Sequence, residues 1–216
     1  MEEPKMHSTL LVLKIFFPFQ LLWGWLHLLL WNSAPEKFRI EKDVERWHAE
    51  IEEADESHRT GWKGLLWLLW REPPFRNLFY YRVKKGRPTT VKFLVALSKW
   101  FYKPMDSLLI SCSDIGEGLF IQHGIGAFIG GKIGKNCWIN QQVTIGYSNK
   151  TETPTLGDNV QVTAGAKVFG NITIGDNVII GANAVVNKNV PPKCTGVGVP
   201  ARIVRRDGVR VNQPLT

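Results

Sequence analysis

Cysteine is scarce in this chain, and glycine is scarce in its first half. The three cysteines, Cys112, Cys137 and Cys194, show no metal-ligand spacing and cannot all pair with one another. We therefore expect free, buried thiols, a reducing cytoplasmic compartment and no metal site. Sixteen of the 20 glycines follow residue 108, whereas eight of the nine tryptophans precede it. The chain therefore divides near residue 108 into two regions of different composition, the first rich in tryptophan and the second rich in glycine.

The chain also lacks a concentrated basic surface of the kind that binds nucleic acid. Its net charge of +8 is spread over both halves, and no ladder of aromatic and basic residues accompanies it. We therefore expect no nucleic-acid partner. The densest basic run, residues 201–210, is compatible with DNA, an anionic membrane or a phosphorylated ligand, so charge alone does not decide the function.

An apolar segment, residues 8–31, is long enough to cross a bilayer but is not a clean membrane span. Three polar residues and a proline interrupt it: Lys14, Pro18, Gln20 and His27. The acidic start of the chain and the lack of a small-residue cleavage site argue against a signal peptide. Three alternatives stay open, namely buried helices, a peripheral helix at the membrane surface and a true span. The tryptophans in this segment slightly favour the membrane surface.

Two further helices are predicted in the first half. Residues 41–59 are strongly charged and helical in composition, and residues 61–75 are apolar and end in prolines. His48 and His58 lie ten residues apart, which does not place them on one helical face as metal ligands. We expect both at the surface.

The second half repeats with a period of six residues. An aliphatic or small residue recurs at every sixth position, and the count slips by five between Ile145 and Leu156 before it resumes. The recurring residues are Ile115, Ile121, Ala127, Ile133, Ile139, Ile145, Leu156, Val162, Val168, Ile174, Ile180 and Val186. No α-helix has a period of six, whereas a short strand followed by a tight corner does. Three such sides close one triangular coil of 18 residues, so twelve hexads predict four coils around an aliphatic core.

The slip in the count predicts a loop that leaves the coil within residues 146–155. This segment is short and polar. Loops that interrupt a regular solenoid often carry binding residues. We therefore place Gly146 and Tyr147 in a ligand site.

One histidine, His123, stands in this glycine-rich half of the chain. Counting 18 residues per coil, and five more across the loop, places it in one column with Gln141, Ala164 and Ala182. Two alanines beneath two longer polar side chains predict a shallow furrow that is open to a thin ligand such as a pantetheine arm. Basic residues of the last coil could then meet the phosphates of that ligand: Lys188, Lys193, Arg202, Arg205 and Arg206.

The hexads resemble those of the hexapeptide-repeat acyltransferases. The similar segments are "NCWINQQVTIG", "PTLGDNVQVTAGAKVFGNITIGDNVIIGANAVV" and the terminal "GVGVPARIV". The resemblance is to the branch that holds serine O-acetyltransferases and capsule or sugar O-acetyltransferases. It implies an α+β protein with a helical region over residues 1–107, a left-handed parallel β-helix over 108–205 and a C-terminal tail over 206–216. It also implies a homotrimer, or a dimer of trimers, with furrows shared between subunits.

The resemblance also implies an O-acetyltransferase with acetyl-CoA as the acyl donor and His123 as the general base. A neutral imidazole that takes the proton of an attacking hydroxyl typically contributes ~10²–10⁴ in rate. The residues assigned to the donor are Gln141, Gly146, Tyr147, Ala164, Ala182, Lys188, Arg202 and Arg205.

The chain departs from the serine acetyltransferases at three positions. Leu108 and Gln122 stand where that family has aspartates, and Thr153 stands where it has a further histidine. The candidates that remain to orient the imidazole are Asp106 and Asp114.

The predicted acceptor site is therefore uncharged. It contains Gln122, Asn140 and Gln142, which suit a sugar hydroxyl better than the zwitterion of serine. We expect a sugar or polysaccharide precursor as the acceptor. The alternative is the serine O-acetyltransferase of cysteine biosynthesis, and a second alternative is a non-catalytic scaffold.

Overall fold

Helices precede a solenoid of strands in this protein. The computed structural model describes residues 24–51 and 61–215. Within them, the helices are α1 (residues 24–32), α2 (Lys37–Glu50), α3 (Gly61–Arg71), α4 (Pro73–Lys84) and α5 (Thr89–Ser98). Prolines separate α3 from α4, because a proline fits the first turn of a helix but not its interior.

The strands are short and mostly parallel. They are β1 (Leu109–Ile115), β2 (Phe120–Ile121), β3 (Phe128–Ile133), β4 (Trp138–Ile139), β5 (Thr144–Gly146), β6 (Thr155–Leu156), β7 (Gln161–Val162), β8 (Lys167–Phe169), β9 (Thr173–Ile174), β10 (Ile179–Ile180), β11 (Val185–Val186), β12 (Cys194–Val197), β13 (Arg202–Arg206) and β14 (Val209–Pro214).

Their pairing defines three faces of one prism. Face 1 stacks the end of β1, the end of β3, β6 and β9. Face 2 stacks β2, β4, β7, β10 and β12. Face 3 stacks the start of β3 with β5, β8 and β11. This is the predicted left-handed parallel β-helix, with about five turns rather than four, because pairing extends to the start of β1 and to β12.

The inward positions follow the predicted hexads with one exception. Ile129, rather than Ala127, pairs with Ile145 on face 3. Seven residues therefore lie between the inward residues Ile121 and Ile129, whereas five lie between Ile139 and Ile145. The corner between face 2 and face 3 is two residues longer in this coil than in the next one.

The helices close the open edge of the first coil. A solenoid end exposes unpaired backbone groups, and these need partners. Arg82 of α4 donates to the carbonyls of Ile115 (2.5 Å) and Gly116 (2.6 Å). Trp47 Nε1 of α2 donates to the carbonyl of Leu119 at 2.8 Å. The helical region therefore acts as a cap whose side chains replace the missing coil.

The C-terminal end of the chain is a hairpin rather than the tail expected over residues 206–216. β14 pairs antiparallel with β13, and β13 pairs antiparallel with β12. The two residues between them, Asp207 and Gly208, have φ of 50° and 80°. An Asp-Gly pair accepts the positive φ values of a tight hairpin turn, which explains the local fold.

Two sequence expectations about the helical region need correction or restriction. His48 is buried, and its Nε2 lies 3.1 Å from the carbonyl oxygen of Gly64, so its predicted surface position is wrong. His58 and most of the predicted helix beyond Glu50 lie outside the described residues. The apolar segment 8–31 is described only from residue 24. Within the described ranges, no helix has the length and hydropathy needed to cross a membrane.

Candidate active site

His123 lies at the corner where face 2 turns into face 3, and it is exposed. Its φ is 64°, a left-handed value that few residues other than glycine adopt. Gly124 follows with a φ of 67°, and its N–H donates to the carbonyl of Gln122 at 2.8 Å. This tight turn carries the imidazole to the outer rim of the solenoid.

A column of residues rises along this corner from coil to coil. Its stacking is fixed by three backbone hydrogen bonds: Gln142 N to Ile125 O (2.8 Å), Gly165 N to Gln141 O (3.1 Å) and Asn183 N to Ala164 O (2.9 Å). Gln141, Ala164 and Ala182 therefore share one edge, as predicted. Ile125, and not His123, occupies the place beneath Gln141, because the longer corner shifts the register. The imidazole stands beside the furrow at the same corner, one step away from the column.

The underside of this corner is apolar. An ideal Cβ on Gly124 would lie 3.2 Å from Leu108 Cδ2 and 3.3 Å from Pro74 Cβ. Leu108 is buried, and it packs directly beneath the turn that holds His123. The corner is therefore held in place by packing against α4 and the segment before β1.

Neither aspartate proposed as the partner of His123 is available to it. Asp106 pairs with Lys103 Nζ at 2.5 Å on the surface. Asp114 pairs with Lys85 and with Arg39 (2.9 Å), and the hydrogen bond from Lys85, followed by that from Arg39, lowers the pKa of Asp114 to about 2 against the opposing effect of burial. Within the described ranges, no side chain forms a hydrogen bond with the imidazole of His123.

An uncharged polar cluster lies next to the corner. Gln122 Oε1 accepts from Asn140 Nδ2 at 2.7 Å and from Trp138 Nε1 at 3.2 Å. Two further oxygens, Asn140 Oδ1 and Gln141 Oε1, are buried and have no hydrogen-bond partner among the described residues. An unsatisfied buried acceptor costs about 1–3 kcal/mol. A donor group that reached either oxygen would remove this cost.

The sequence did not lead us to predict two of the residues near the corner, Trp138 and Lys167. Trp138 contacts the polar cluster, and its signal was its position as the one tryptophan of the second half. Lys167 lies on face 3, and its Nζ donates to the carbonyl of Gln142 at 2.6 Å. Lys167 precedes an inward residue, Val168, and so faces outward. The hexad count contained that signal.

The remaining donor-binding candidates of the loop region lie at the other edge of face 3. Gly146 ends β5, and the exposed Tyr147 lies beside Phe128, with ring centroids 6.5 Å apart and ring planes inclined at 54°. Lys188 follows β11 near the same edge. Gly146 lies five positions after Gln141, a span of at most about 16 Å at ~3.3 Å per residue. Within one chain, these residues do not line the same furrow as the alanine column.

The basic candidates of the C-terminal end lie on β13. Arg202 and Arg205 are exposed, and Arg202 Nε donates to Asn212 Oδ1 at 2.8 Å. Val185 links this end to face 3, because its N–H donates to the carbonyl of Gly198 and its carbonyl accepts from the N–H of Ala201. Arg202, the residue after Ala201, therefore lies beside the last coil.

Among the described residues, the cysteines form no disulfide and no group of side chains is placed to bind a metal ion. All three cysteines are free, and burial raises the pKa of Cys112 and Cys137 to about 12. In residues 24–51 and 61–215, no three His, Cys, Asp or Glu side chains are placed to hold a metal ion.

The repeat and the sequence are similar to those of known proteins. The family model for the bacterial transferase hexapeptide (six repeats) matches residues 153–188. The serine acetyltransferase of Synechococcus elongatus is 52% identical over 103 residues, which are 45% of this chain and 42% of that protein. The serine acetyltransferase of Staphylococcus aureus is 52% identical over 104 residues, 46% of this chain and 49% of that protein. The match therefore spans about half the length of these curated relatives.

Solved structures extend the similarity to the helical region. The serine acetyltransferase of Neisseria gonorrhoeae superposes with a TM-score of 0.63 at 26% identity, covering 86% of this chain and 71% of that chain. The same enzyme in complex with serine gives 0.61 at 26%, covering 83% and 73%. A serine acetyltransferase in complex with CoA gives 0.63 at 27%, covering 83% and 74%. Helices followed by a β-solenoid are thus common to all of them.

Proposed function

We propose that this hexapeptide-repeat protein is an acetyl-CoA-dependent O-acetyltransferase with His123 as its general base. The observation that carries the proposal is an exposed imidazole at the one corner that also begins the column of Ala164 and Ala182. The similarity to a serine acetyltransferase in complex with CoA supports acetyl-CoA as the donor.

The pantetheine arm of the donor would lie along the alanine column. The small side chains of Ala164 and Ala182 leave the backbone of that edge open to the amides of the arm. The thioester would then lie over Ile125 and Gln141, and the nucleotide end would point toward Arg202, which can pair with phosphate. Lys167 adds a cation on face 3 beside this path.

The reaction follows from this placement. A neutral imidazole of His123 accepts the proton of the acceptor hydroxyl as its oxygen attacks the thioester carbon. Backbone N–H groups of the corner stabilise the oxyanion of the tetrahedral intermediate. The C–S bond then breaks, and the CoA thiolate leaves and is protonated by the imidazolium. The products are an O-acetyl ester and free CoA.

Serine is the acceptor that we propose. The sugar acceptor expected from the uncharged pocket has no support from the comparisons, since the relatives at 52% identity are serine acetyltransferases. Leu108 and Gln122 replace the carboxylates that the family resemblance would place there. The serine ammonium would instead donate to the buried, unpartnered oxygens Asn140 Oδ1 and Gln141 Oε1.

We also infer a homotrimer, or a dimer of trimers, as the working assembly. Gly146, Tyr147 and Lys188 lie across face 3 from the alanine column, so one chain cannot bring both sets to one ligand. The column edge of one subunit and the loop edge of its neighbour could together form a complete furrow. Sedimentation equilibrium measures the mass, and a monomer with full activity would contradict this inference.

The function is tested by the release of free CoA thiol from acetyl-CoA in the presence of serine or of sugar acceptors. We expect serine-dependent turnover that falls by roughly 10²–10⁴ in kcat in His123→Ala, with the Kd for CoA unchanged. Normal turnover in that variant would remove the assignment of His123. Turnover with sugars but not with serine would restore the glycan acceptor.

Binding of CoA separates an enzyme from a scaffold. Calorimetric titration should show saturable binding that Ala164→Trp abolishes, because the indole fills the furrow. Thr173→Trp is the matched control, since Thr173 is exposed on face 1 and away from the column. A protein that does not bind CoA, or that loses binding equally in both variants, would contradict the proposed site.

A further inference from the structure

Helix α5 turns an apolar face toward solvent. Phe93 and Leu97 are 68% and 49% exposed at positions i and i+4 of the helix, and Trp100, in the turn that follows α5, is 87% exposed. Val95 and Ser98 point inward and are fully buried. A helix at the surface of a soluble domain normally shows the opposite arrangement along its outer side. An exposed apolar stripe of this size marks an interaction surface.

The chain around this stripe is basic and contains no acidic residue. Residues 73–105 hold eight Lys or Arg and no Asp or Glu. Some of these cations have partners within the fold, such as Arg82 with Asp43 and Lys85 with Asp114. Lys84, Lys92 and Lys99 have no carboxylate partner in the described part of the chain. Lys92 and Lys99 directly precede Phe93 and Trp100 in the chain, and Lys84 is the last residue of α4.

Two of these lysines also line a cavity behind the end of α5. The cavity has a volume of about 450 Å³ and lies between α4, the turn after α5 and β1. Lys84 and Lys99 are in its wall, together with the hydroxyl-bearing Tyr80 and Tyr81. The pKa of Lys99 is lowered, first by burial and then by Lys84. An anionic group in this cavity would relieve the repulsion between the two ammonium groups.

A second exposed apolar stripe lies on α1, a helix that packs against the segment after α5. Trp25 and Leu29 of α1 are 62% and 51% exposed at i and i+4 of that helix. His27 of the same helix packs against Tyr102, just after α5, with ring centroids 4.8 Å apart. The two stripes therefore belong to neighbouring parts of the helical region.

The charge pattern decides what covers the α5 face. A second copy of the chain would bring the same unpaired lysines against each other, and like charges at an interface oppose association. A bilayer with anionic lipids offers apolar chains for the stripe and phosphates for the lysines, and tryptophan favours the boundary between them. We propose that α5 and the turn after it dock this protein on the surface of an anionic phospholipid membrane. The proposal does not depend on the acetyltransferase activity.

In the docked state, Phe93, Leu97 and Trp100 enter the headgroup region of one leaflet. Lys92 and Lys99 contact lipid phosphates, and one of these phosphates enters the basic cavity. No covalent step is involved, and the solenoid stays in water.

Co-sedimentation of the full-length protein with vesicles tests the proposal. We expect binding to vesicles of phosphatidylcholine mixed with phosphatidylglycerol, and weaker binding to phosphatidylcholine alone or at high salt, where charges are screened. The double variant Leu97→Ser/Trp100→Ser and the charge reversal Lys92→Glu/Lys99→Glu should each weaken binding by about tenfold or more. Phe38→Ser is the matched control, because Phe38 is exposed on α2 and lies outside the stripe.

Three outcomes would overturn the proposal. The first is no preference for anionic vesicles. The second is wild-type binding by both α5 variants, which would place the membrane contact elsewhere, for example in residues 8–23. The third is a change in sedimentation mass, without a change in vesicle binding, in Leu97→Ser/Trp100→Ser, which would identify a second copy as the occupant. Leu97, Trp100 and Lys92 are exposed and Lys99 is half-buried, and unchanged thermal unfolding of both variants shows that the fold is retained.

Discussion

Replacing Arg82 with methionine removes the group that closes the first coil of the solenoid. Arg82 Nε and Nη2 donate to the two oxygens of Asp43 at 2.9 and 3.1 Å, and the same guanidinium donates to the carbonyls of Ile115 and Gly116. The side chains of Arg82 and Asp43 are 0% and 1% exposed. Asp43 Oδ1 also accepts from the N–H of Gly118 at 2.8 Å. The substitution would leave a buried carboxylate and two backbone carbonyls without this donor.

Breaking a buried ion pair from one side typically costs about 3–5 kcal/mol, because the partner charge stays buried. We expect Arg82→Met to lower the free energy of unfolding by this amount. The double variant Asp43→Leu/Arg82→Met removes both charges and should recover part of the loss. Recovery should be incomplete, because the carbonyls of Ile115 and Gly116 would still lack a donor.

The loss in Arg82→Met should depend on pH. Burial raises the pKa of Asp43, and Arg82, with the N–H of Gly118, opposes that rise. Without Arg82 the folded-state pKa of Asp43 rises further above its unfolded value of about 3.9. A raised carboxyl pKa means that the folded state holds the proton more tightly than the unfolded state. The free energy of unfolding therefore falls as the pH rises from the unfolded-state pKa of Asp43 to its folded-state pKa. The destabilisation should therefore be larger at about pH 8 than at about pH 5.

Urea unfolding followed by circular dichroism, at one fixed protein concentration, measures these differences. Lys42→Met is the control, because Lys42 forms a surface pair with Glu45 at 2.6 Å, and such pairs contribute less than about 1 kcal/mol. A loss below about 1 kcal/mol in Arg82→Met, or one that is equal at both pH values, would refute the view that this ion pair caps the coil.

Three further predictions concern the solenoid. Gly124→Ala should lose more than about 1 kcal/mol of stability and lower kcat without changing the Kd for CoA, since its Cβ would meet Leu108 at 3.2 Å. Gly126→Ala, with a similar φ of 66° but no contact under 3.7 Å, isolates the backbone strain, and an equal kcat in both variants would contradict the packing role of Gly124. Gly131→Ala should destabilise more than Gly126→Ala in thermal unfolding, because its Cβ would collide with the Pro154 carbonyl where the loop returns. Cys137, whose pKa burial raises to about 12, should react with a thiol reagent only after unfolding, and rapid labelling of the native protein at this residue, located by mass spectrometry, would contradict its burial.

The period of the solenoid could be predicted because each inward residue is set by local geometry. Eleven of the twelve predicted inward residues are buried and paired in the expected register. The prediction for Ala127 was wrong because the residues of a corner lie outside the core, and the aliphatic pattern therefore does not fix the length of the corner. The glycines at 124 and 126 allow a longer turn, but only the pairing of Ile129 with Ile145 shows that the turn is used.

The helical cap could not be predicted to the same depth. Its contacts join residues far apart in the chain, such as Asp43 with Arg82 and Trp47 with Leu119. Hydrophobic patterning cannot tell which charged or polar side chain will be buried, because burial of such a group depends on a partner from another element. His48 shows the same limit, since its partner is the carbonyl of Gly64 on the next helix.

The longer corner gives a physical reason for the position of His123, the proposed base. In the regular corners, one residue with positive φ is enough to turn the chain, as at Gln142, Gly165 and Asn183. The side chain two places after the inward residue then lies in the column itself, along which we propose that the donor places its thioester. In the longer corner, between Ile121 and Ile129, two added residues place His123 outside the column, and Ile125 occupies the column position instead. An imidazole beside the furrow can reach a hydroxyl that approaches the thioester from the side, whereas an imidazole within it would occupy the space of the acyl group.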